Sequence, residues 1–190
     1  MAREHHLTGS LGSSPRTSAH RGALAACAVA SLATLATPIG CGPSLPADVM
    51  RVTIAGAKGS KTVDLKLAVD DASRAKGLGG VTEIAADGGM LFAFTTVQER
   101  YFWMKGCVID IDIAFLDGLG VVTAVHTMPK EPPRGENESE FDYESRLRHY
   151  SSGSPCQYAI EVRPGTFDTL GIKRGTRIQL DTAKLKAMAK

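Results

Sequence analysis

Three carboxylates in the C-terminal half of the chain are the first residues that could do chemistry. Asp110 and Asp112 lie two positions apart in an alternating segment, residues 108–116, so a strand would place both side chains on one face, about 6.6 Å apart. Inverting glycosidases hold their acid and base about 6.5–9.5 Å apart. Glu161 lies in a second alternating segment, residues 157–162, on the face opposite its apolar neighbours. The three residues could form the acid and base of a hydrolase, or they could be solvated or hydrogen-bonded strand carboxylates.

An aromatic group precedes these carboxylates. Trp103 is the only tryptophan of the chain, with two aromatic residues before it and Met104 after it. Aromatic rings beside carboxylates bind sugars or cationic groups, because a ring face attracts positive charge. We therefore predict a polar pocket formed by Trp103, Asp112 and Glu161, with Met104 and Asp110 as further candidates for ligand binding. The alternative is that the aromatic residues pack in the core.

The N-terminal segment is typical of an exported protein. Arg16 and Arg21 precede a charge-free, alanine-rich run that ends at Gly40, as in a signal peptide. The run is followed by Cys41, and Gly40-Cys41 resembles the lipobox of bacterial lipoproteins, in which the cysteine carries the lipid. We predict a signal peptide over residues 1–40, lipidation at Cys41, and a protein anchored to the membrane in the periplasm or on the outer surface. A secreted protein with no lipid is the alternative.

The chain has four cysteines, and their positions favour one disulfide. Cys27 lies in the predicted leader and Cys41 is the predicted lipid site, so Cys107 and Cys156 remain. A single remaining pair in an exported protein favours a disulfide. Each cysteine comes directly before a predicted strand, so neighbouring strands could bring the two together. Two free buried thiols, or a reactive thiol, are the alternatives.

Charge and composition exclude several classes of protein. The net charge of +2 is that of residues 1–40, which hold three arginines and one glutamate, so the rest of the chain is neutral. A neutral body lacks the positive field of nucleic-acid-binding proteins. No apolar stretch reaches the roughly 20 residues of a membrane-spanning helix. No zinc-ligand spacing, phosphate-binding loop or Ser-His-Asp order is present, so we predict neither a metal nor a cofactor.

The body of the chain reads as a series of short strands. Apolar residues alternate with polar ones in segments bounded by glycine and proline, as expected for half-buried strands. The pattern predicts a mainly β fold, an antiparallel sandwich or barrel of seven or eight short strands with two short helices. We place a spacer at residues 41–49, a single domain at 50–185 and a tail at 186–190.

Residues 127–155 form a long acidic segment without a periodic pattern. Connections of this length are uncommon and are often lids or binding loops. The segment could be a solvated surface loop or a flap over a site, and its carboxylates could bind a divalent cation.

Several blocks of sequence resemble the family called domain of unknown function 192. They are Arg74-Ala75-Lys76-Gly77-Leu78, Gly89-Met90-Leu91-Phe92, Phe102-Trp103-Met104-Lys105, Ile111-Asp112-Ile113-Ala114-Phe115-Leu116-Asp117, Tyr158-Ala159-Ile160-Glu161 and Gly171-Ile172-Lys173-Arg174-Gly175. The resemblance implies a compact, mostly β domain that is often exported in bacteria, and it implies no established activity.

The chain departs from the family pattern at three places. Gly79-Gly80 replaces Met-Arg, Gly106-Cys107 replaces Asn-Thr or Asn-Cys, and Asp110 replaces proline. The resemblance thus favours Asp112, which matches the motif, over Asp110, which does not.

Three functions fit these observations. The chain could be a binding or interaction domain of the cell envelope whose ligand is a small molecule, a glycan or an envelope protein. It could be a carboxylate-based hydrolase acting on envelope glycan, which would require one buried acid with a raised pKa. It could also be a structural accessory subunit of an envelope complex.

Overall fold

The computed structural model describes residues 44–190. The predicted signal peptide and Cys41 lie outside these residues. Within them, no helix combines the length and the apolar character needed to cross a membrane.

Eight strands and four short helices form the fold of residues 44–190. The strands are β1 (Val49–Gly56), β2 (Gly59–Ala68), β3 (Gly88–Gln98), β4 (Tyr101–Phe102), β5 (Ile111–Leu116), β6 (Val122–Met128), β7 (Tyr150–Ser151) and β8 (Cys156–Val162). The helices are α1 (Asp71–Lys76), α2 (Glu140–Arg146), α3 (Thr166–Leu170) and α4 (Thr182–Met188). Six strands make one sheet in the order β1-β2-β3-β8-β5-β6, and β4 and β7 make a second, two-stranded sheet. The prediction of a mainly β fold with about eight strands is confirmed.

The main sheet is mixed, not purely antiparallel, and it does not close into a barrel within the described residues. β2 and β3 run parallel, whereas all the other strand pairs are antiparallel. Parallel neighbours need a crossover connection of a dozen or more residues, usually helical. Residues 69–87, which include α1, provide that crossover. The sequence predicted α1, but a helix of only six residues did not indicate that the strands before and after it are parallel neighbours.

The two faces of the main sheet carry two separate hydrophobic clusters. One cluster contains Leu65, Leu91, Ile160 and residues of α3 and α4. The other contains Phe92, Phe115 and residues of the 101–109 segment. Because both faces are covered, the central strands β5 and β8 are buried along their whole length. Any carboxylate on these two strands is therefore removed from water, whichever face it occupies.

The predicted turn at Asp117-Gly118 joins β5 to β6. The Asp117 carboxylate accepts hydrogen bonds from the amides of Leu119 and Val121, at 2.8 and 2.9 Å. Gly120 has a φ of 80°, and a side chain there would meet the carbonyl oxygen of Ile178. The hairpin is confirmed, although β5 begins only at Ile111. Residues 108–110 belong to the preceding loop.

The acidic segment is ordered and packs on the loop that follows β4. Its helix, α2, begins after Ser139, whose hydroxyl accepts a hydrogen bond from the Asp142 amide. The ammonium of Lys105 forms ion pairs with Glu140 and Glu144. The hydroxyl of Tyr143 accepts a hydrogen bond from the Gly106 amide at 3.2 Å. The segment is thus a packed cover over this loop.

The predicted disulfide is not seen, because Cys107 and Cys156 are both free thiols. β5 and β8 are antiparallel, with Asp112 opposite Val162 at one end and Leu116 opposite Tyr158 at the other. Cys107 precedes β5, whereas Cys156 begins β8, so the two cysteines lie at opposite ends of the strand pair. β5 alone is about 17 Å long. A position just before a strand brings two cysteines together only when the neighbouring strands are parallel.

The end of the chain is attached to the domain. α4 overlaps the segment predicted as a tail, and its Leu185 is buried. The Lys190 amide donates a hydrogen bond to the carbonyl oxygen of Val69 at 2.8 Å.

Candidate functional site

Glu161 is a buried carboxyl group near the centre of the main sheet. It pairs with Met90 of β3 and Ile113 of β5 in the strand register, and its side chain therefore lies on the face of the second hydrophobic cluster. The residue is only 5% exposed, and its Oε2 atom has no hydrogen-bond partner. Burial raises the pKa of Glu161 to about 8. At neutral pH the side chain is therefore mainly a neutral acid with a proton to donate.

Glu161 lines a pocket of about 270 Å³, which we call the Glu161 pocket. Five of its lining residues are aromatic: Phe92 and Phe94 from β3, Tyr101 and Phe102 from β4, and Trp103 from the following loop. Phe102 makes edge contacts with Phe92 and Phe94, at ring-centroid distances of 5.0 and 6.4 Å. A hollow that combines aromatic rings with one buried carboxyl group has the form of a small-molecule site.

Helix α1 supplies the first two cationic side chains of the pocket. Asp70 caps this helix by accepting a hydrogen bond from the Ser73 amide at 2.8 Å. Arg74 then donates to the carbonyl oxygen of Ala93 at 2.8 Å and pairs with Asp71 at 2.7 Å. Lys76 also lines the pocket.

The loop after β4 supplies Trp103 and the third cation, Lys105. Trp103 is 40% exposed and makes an edge contact with the ring of His149 at 5.4 Å. The ammonium of Lys105 lies 5.8 Å from the centre of the indole ring. Trp103 is therefore a pocket residue partly open to solvent, not a core residue.

Cys107 also lines the pocket, and it lies at the edge of a second hollow of about 410 Å³. Burial, and then the nearby Glu161 carboxyl, raise the pKa of the Cys107 thiol to about 11. A thiol with so high a pKa is almost wholly protonated at neutral pH and is a poor nucleophile.

Asp112 lies on the other face of the sheet from Glu161. It is 2% exposed, and its carboxylate accepts a hydrogen bond from the Thr127 hydroxyl at 2.7 Å and one from the Phe167 amide at 3.3 Å. α3 begins after Gly165, which has no side chain to cap the helix. Burial raises the pKa of Asp112, whereas these bonds and the amides of Gly165 and Thr166 oppose that shift. Asp112 therefore holds the start of α3 from the neighbouring strand.

The other two predicted ligand-binding residues lie outside the pocket. Asp110 is exposed, precedes β5, and accepts a hydrogen bond from the Lys130 amide at 2.9 Å. Met104 is 1% exposed and belongs to the hydrophobic cluster on the Glu161 face. Of the five candidates, the structure brings together Trp103 and Glu161. Asp110 and Asp112 do not converge on them.

The sequence interpretation missed Arg74, Lys105 and Cys107 as pocket residues. Two of them stand in sequence blocks that carried the family resemblance. The blocks containing Arg74, Phe102 and Glu161 are far apart in the chain, yet each contributes residues to this one pocket. Membership in the blocks that resemble the family was the sequence signal that could have pointed to Arg74 and Lys105. Among residues 44–190, no group of three or more His, Cys, Asp or Glu side chains is arranged to hold a metal ion.

The profile of the family DUF192, described as "Uncharacterized ACR", matches residues 52–180. A search of curated proteins returns no significant match.

Two solved structures are similar to the chain. One is a candidate transcription regulator from Sinorhizobium meliloti 1021, with 28% identity over 72% of this chain and 97% of that one, at a TM-score of 0.58. The other is a protein of unknown function from Novosphingobium aromaticivorans DSM 12444, with 26% identity over 70% of this chain and 85% of that one, at a TM-score of 0.55.

Proposed function

The chain belongs to the DUF192 family, and from that premise we propose that it is a domain of the cell envelope that binds a small molecule in the Glu161 pocket. The observation that carries this proposal is the buried carboxyl group of Glu161, which lines a hollow with five aromatic residues and whose Oε2 atom has no hydrogen-bond partner. Leaving a buried polar group without a hydrogen bond costs about 1–3 kcal/mol. A ligand that bonds to Glu161 would recover that free energy on binding.

Location in the envelope is supported by the N-terminal sequence. The charge-free run before Gly40-Cys41 favours export and a lipid on Cys41. Lipidation would make the membrane a partner of the chain. Replacing Cys41 with serine in the full chain is expected to move the protein from the membrane fraction to the soluble fraction. Unchanged partition between the fractions would contradict the anchor but would leave the pocket untouched.

The geometry supports binding better than glycan hydrolysis. A hydrolase needs an acid and a base on either side of one bond. Glu161 has the raised pKa of an acid, but Asp112 lies on the opposite face of the sheet and Asp110 lines a different hollow. Glu161 is the only carboxylate among the residues that line its pocket. The second carboxylate that the reaction requires is therefore missing from it.

The similarity to a candidate transcription regulator does not lead us to propose DNA binding. Residues 41–190 have equal numbers of basic and acidic side chains, whereas DNA-binding domains concentrate positive charge on one face. An envelope protein as partner in place of a small molecule is the remaining alternative, and the partly exposed Tyr101 and Trp103 would then form its contact.

The experiment is recovery of the bound molecule. The full-length protein is purified, exposed to a small-molecule extract of envelope, washed and analysed by mass spectrometry beside two variants. Glu161→Leu removes the carboxyl group from the pocket. Asp110→Asn changes a carboxylate that lies outside the pocket and serves as the control. A compound retained by the wild type and by Asp110→Asn, but not by Glu161→Leu, is expected. Equal retention by all three proteins, or by none, would refute binding at Glu161.

A further inference from the structure

The charges around the Glu161 pocket restrict the ligand that it can accept. α1 contributes Arg74 and Lys76, and the loop after β4 contributes Lys105. The other titratable residues of the lining are Tyr101 of β4, Cys107 of the loop and Glu161 of β8, while β3 contributes only phenylalanines. The Cys107 thiol and the Glu161 carboxyl are mainly protonated near pH 7. The lining therefore carries positive charge and no negative charge.

Two of these three cations, Arg74 and Lys105, are paired with three neighbouring carboxylates. Arg74 pairs with Asp71, and Lys105 pairs with Glu140 and Glu144. Lys76 has no ion pair among residues 44–190 and stands at the end of α1. Lys76 would therefore repel a cationic ligand and attract an anionic one. This argues against the cationic ligand that the aromatic rings alone would suggest.

Building on the binding function proposed above, we propose that the ligand is a small apolar carboxylate whose carboxylate oxygen accepts the proton of Glu161 in a hydrogen bond. The apolar body of the ligand would lie against the rings of Phe92, Phe94 and Phe102, beside Trp103. A hydrogen bond from a neutral acid to a carboxylate is charge-assisted and about twice as strong as one between neutral groups. Two carboxyl groups that face each other hold one shared proton, since two like charges at that distance are unfavourable.

This mode of binding fixes the pH dependence. The carboxylate binds only while Glu161 holds its proton, so affinity is full at pH values below the Glu161 pKa of about 8. Above that value the affinity falls about tenfold for each pH unit. Binding must, by the same linkage, raise the pKa of Glu161 further. A cationic ligand would have the opposite effect on both quantities.

Trp103 provides the measurement, because it is the only tryptophan and lines the pocket. The full-length protein is titrated with three probes that share one aromatic body, namely 3-phenylpropanoate, 3-phenylpropanamide and 3-phenylpropylamine. Binding is followed by Trp103 fluorescence at pH values between about 6 and 9.5. The carboxylate is expected to bind at least about tenfold more tightly than the amine at pH 6 and to weaken above pH 8. Glutamine cannot lose a proton, so the Glu161→Gln variant is expected to bind the carboxylate probe with an affinity that does not change with pH.

The outcomes separate the ligand class from the function. The proposal of a carboxylate ligand is overturned if the amine or the amide binds more tightly than the carboxylate. It is also overturned if the wild type binds the carboxylate with the same affinity from pH 6 to 9.5. In both cases binding at the pocket still stands. If no probe binds but a compound from the envelope extract is still retained through Glu161, only the proposed ligand class is overturned. If the extract also yields no retained compound, the proposed function fails with it. Asp110→Asn is the matched control and is expected to behave as the wild type throughout.

Discussion

Asp112 and Glu161 lie on neighbouring, hydrogen-bonded strands with their carboxyl groups on opposite faces of the sheet. Ile113 is opposite Glu161 in the register and Val162 is opposite Asp112, and paired residues point to the same side. Glu161 therefore faces the pocket, whereas Asp112 faces α3. The first has an oxygen without a hydrogen-bond partner, and the second is bonded to a hydroxyl and a helix amide. Two similarly buried carboxyl groups thus have different roles, because they face opposite sides of the sheet and only Asp112 meets hydrogen-bond donors.

Removing the Asp112 carboxylate should destabilise the fold. Asp112→Ala leaves the Thr127 hydroxyl and the Phe167 amide without their acceptor, and we expect the free energy of unfolding to fall by about 2–4 kcal/mol. Urea denaturation followed by circular dichroism measures it. Asp110→Ala is the control two positions away and should lose much less. Equal losses in the two variants would contradict a role for Asp112 in holding α3.

The stability of the wild type should depend on pH through Glu161. Its pKa is about 8 in the folded chain against an ordinary value of 4.5. Between these values the folded chain keeps a proton that the unfolded chain has lost. The contribution of Glu161 to stability is therefore fullest below about pH 4.5, declines as the pH rises and levels off above about pH 8. The slope is at most about 1.4 kcal/mol per pH unit. Glu161→Gln lacks this titration, so the difference in unfolding free energy between the two proteins should follow that curve. Parallel pH profiles for the two would show that Glu161 is not held as a neutral acid.

The thiols of Cys107 and Cys156 should stay reduced and react slowly. We expect no disulfide between them in peptide maps of the protein prepared without reducing agent, because the two residues lie at opposite ends of the β5–β8 pair. Alkylation of Cys107 should be slow at pH 7 and accelerate as the pH approaches 11, since only the thiolate reacts. Mass spectrometry of the Cys107 peptide gives the rate. Rapid alkylation at neutral pH would mean that the thiol is not buried as described.

Loss of Lys105 should loosen α2. Lys105→Ala removes the cation that pairs with Glu140 and Glu144, and hydrogen exchange of the α2 amides should accelerate as a result. Added salt should reduce the difference from the wild type, since it screens a partly exposed ion pair. Lys186→Ala removes an exposed lysine of α4 and should leave α2 unchanged. If the α2 amides exchange at the same rate in both variants, the ion pairs of Lys105 do not hold α2 in place.

The sequence predicted those features that depend on near neighbours. Alternation revealed the strands, Asp117-Gly118 revealed the hairpin, and the apolar neighbours of Glu161 revealed that its side chain opposes theirs. It did not reveal that β8 lies between β3 and β5, because this pairing joins segments that are distant in the chain. Without that order, Asp112 could not be separated from the pocket, nor Cys107 from Cys156. α2 was missed because its polar sequence resembles a solvated loop and only Tyr143 is buried.

The buried carboxyl groups also discriminate between alignments of β8. A slip of one residue against its neighbours would turn Glu161 toward the apolar cluster under α3 and Val162 toward the pocket, since consecutive strand residues face opposite sides. The carboxyl group would then be enclosed by aliphatic side chains with no hollow beside it, and the misaligned chain would bear a large solvation penalty. Glu161, which we propose to bind a ligand, thus also disfavours a misaligned β8. Variants with an aliphatic side chain in its place would tolerate a shifted β8 more readily.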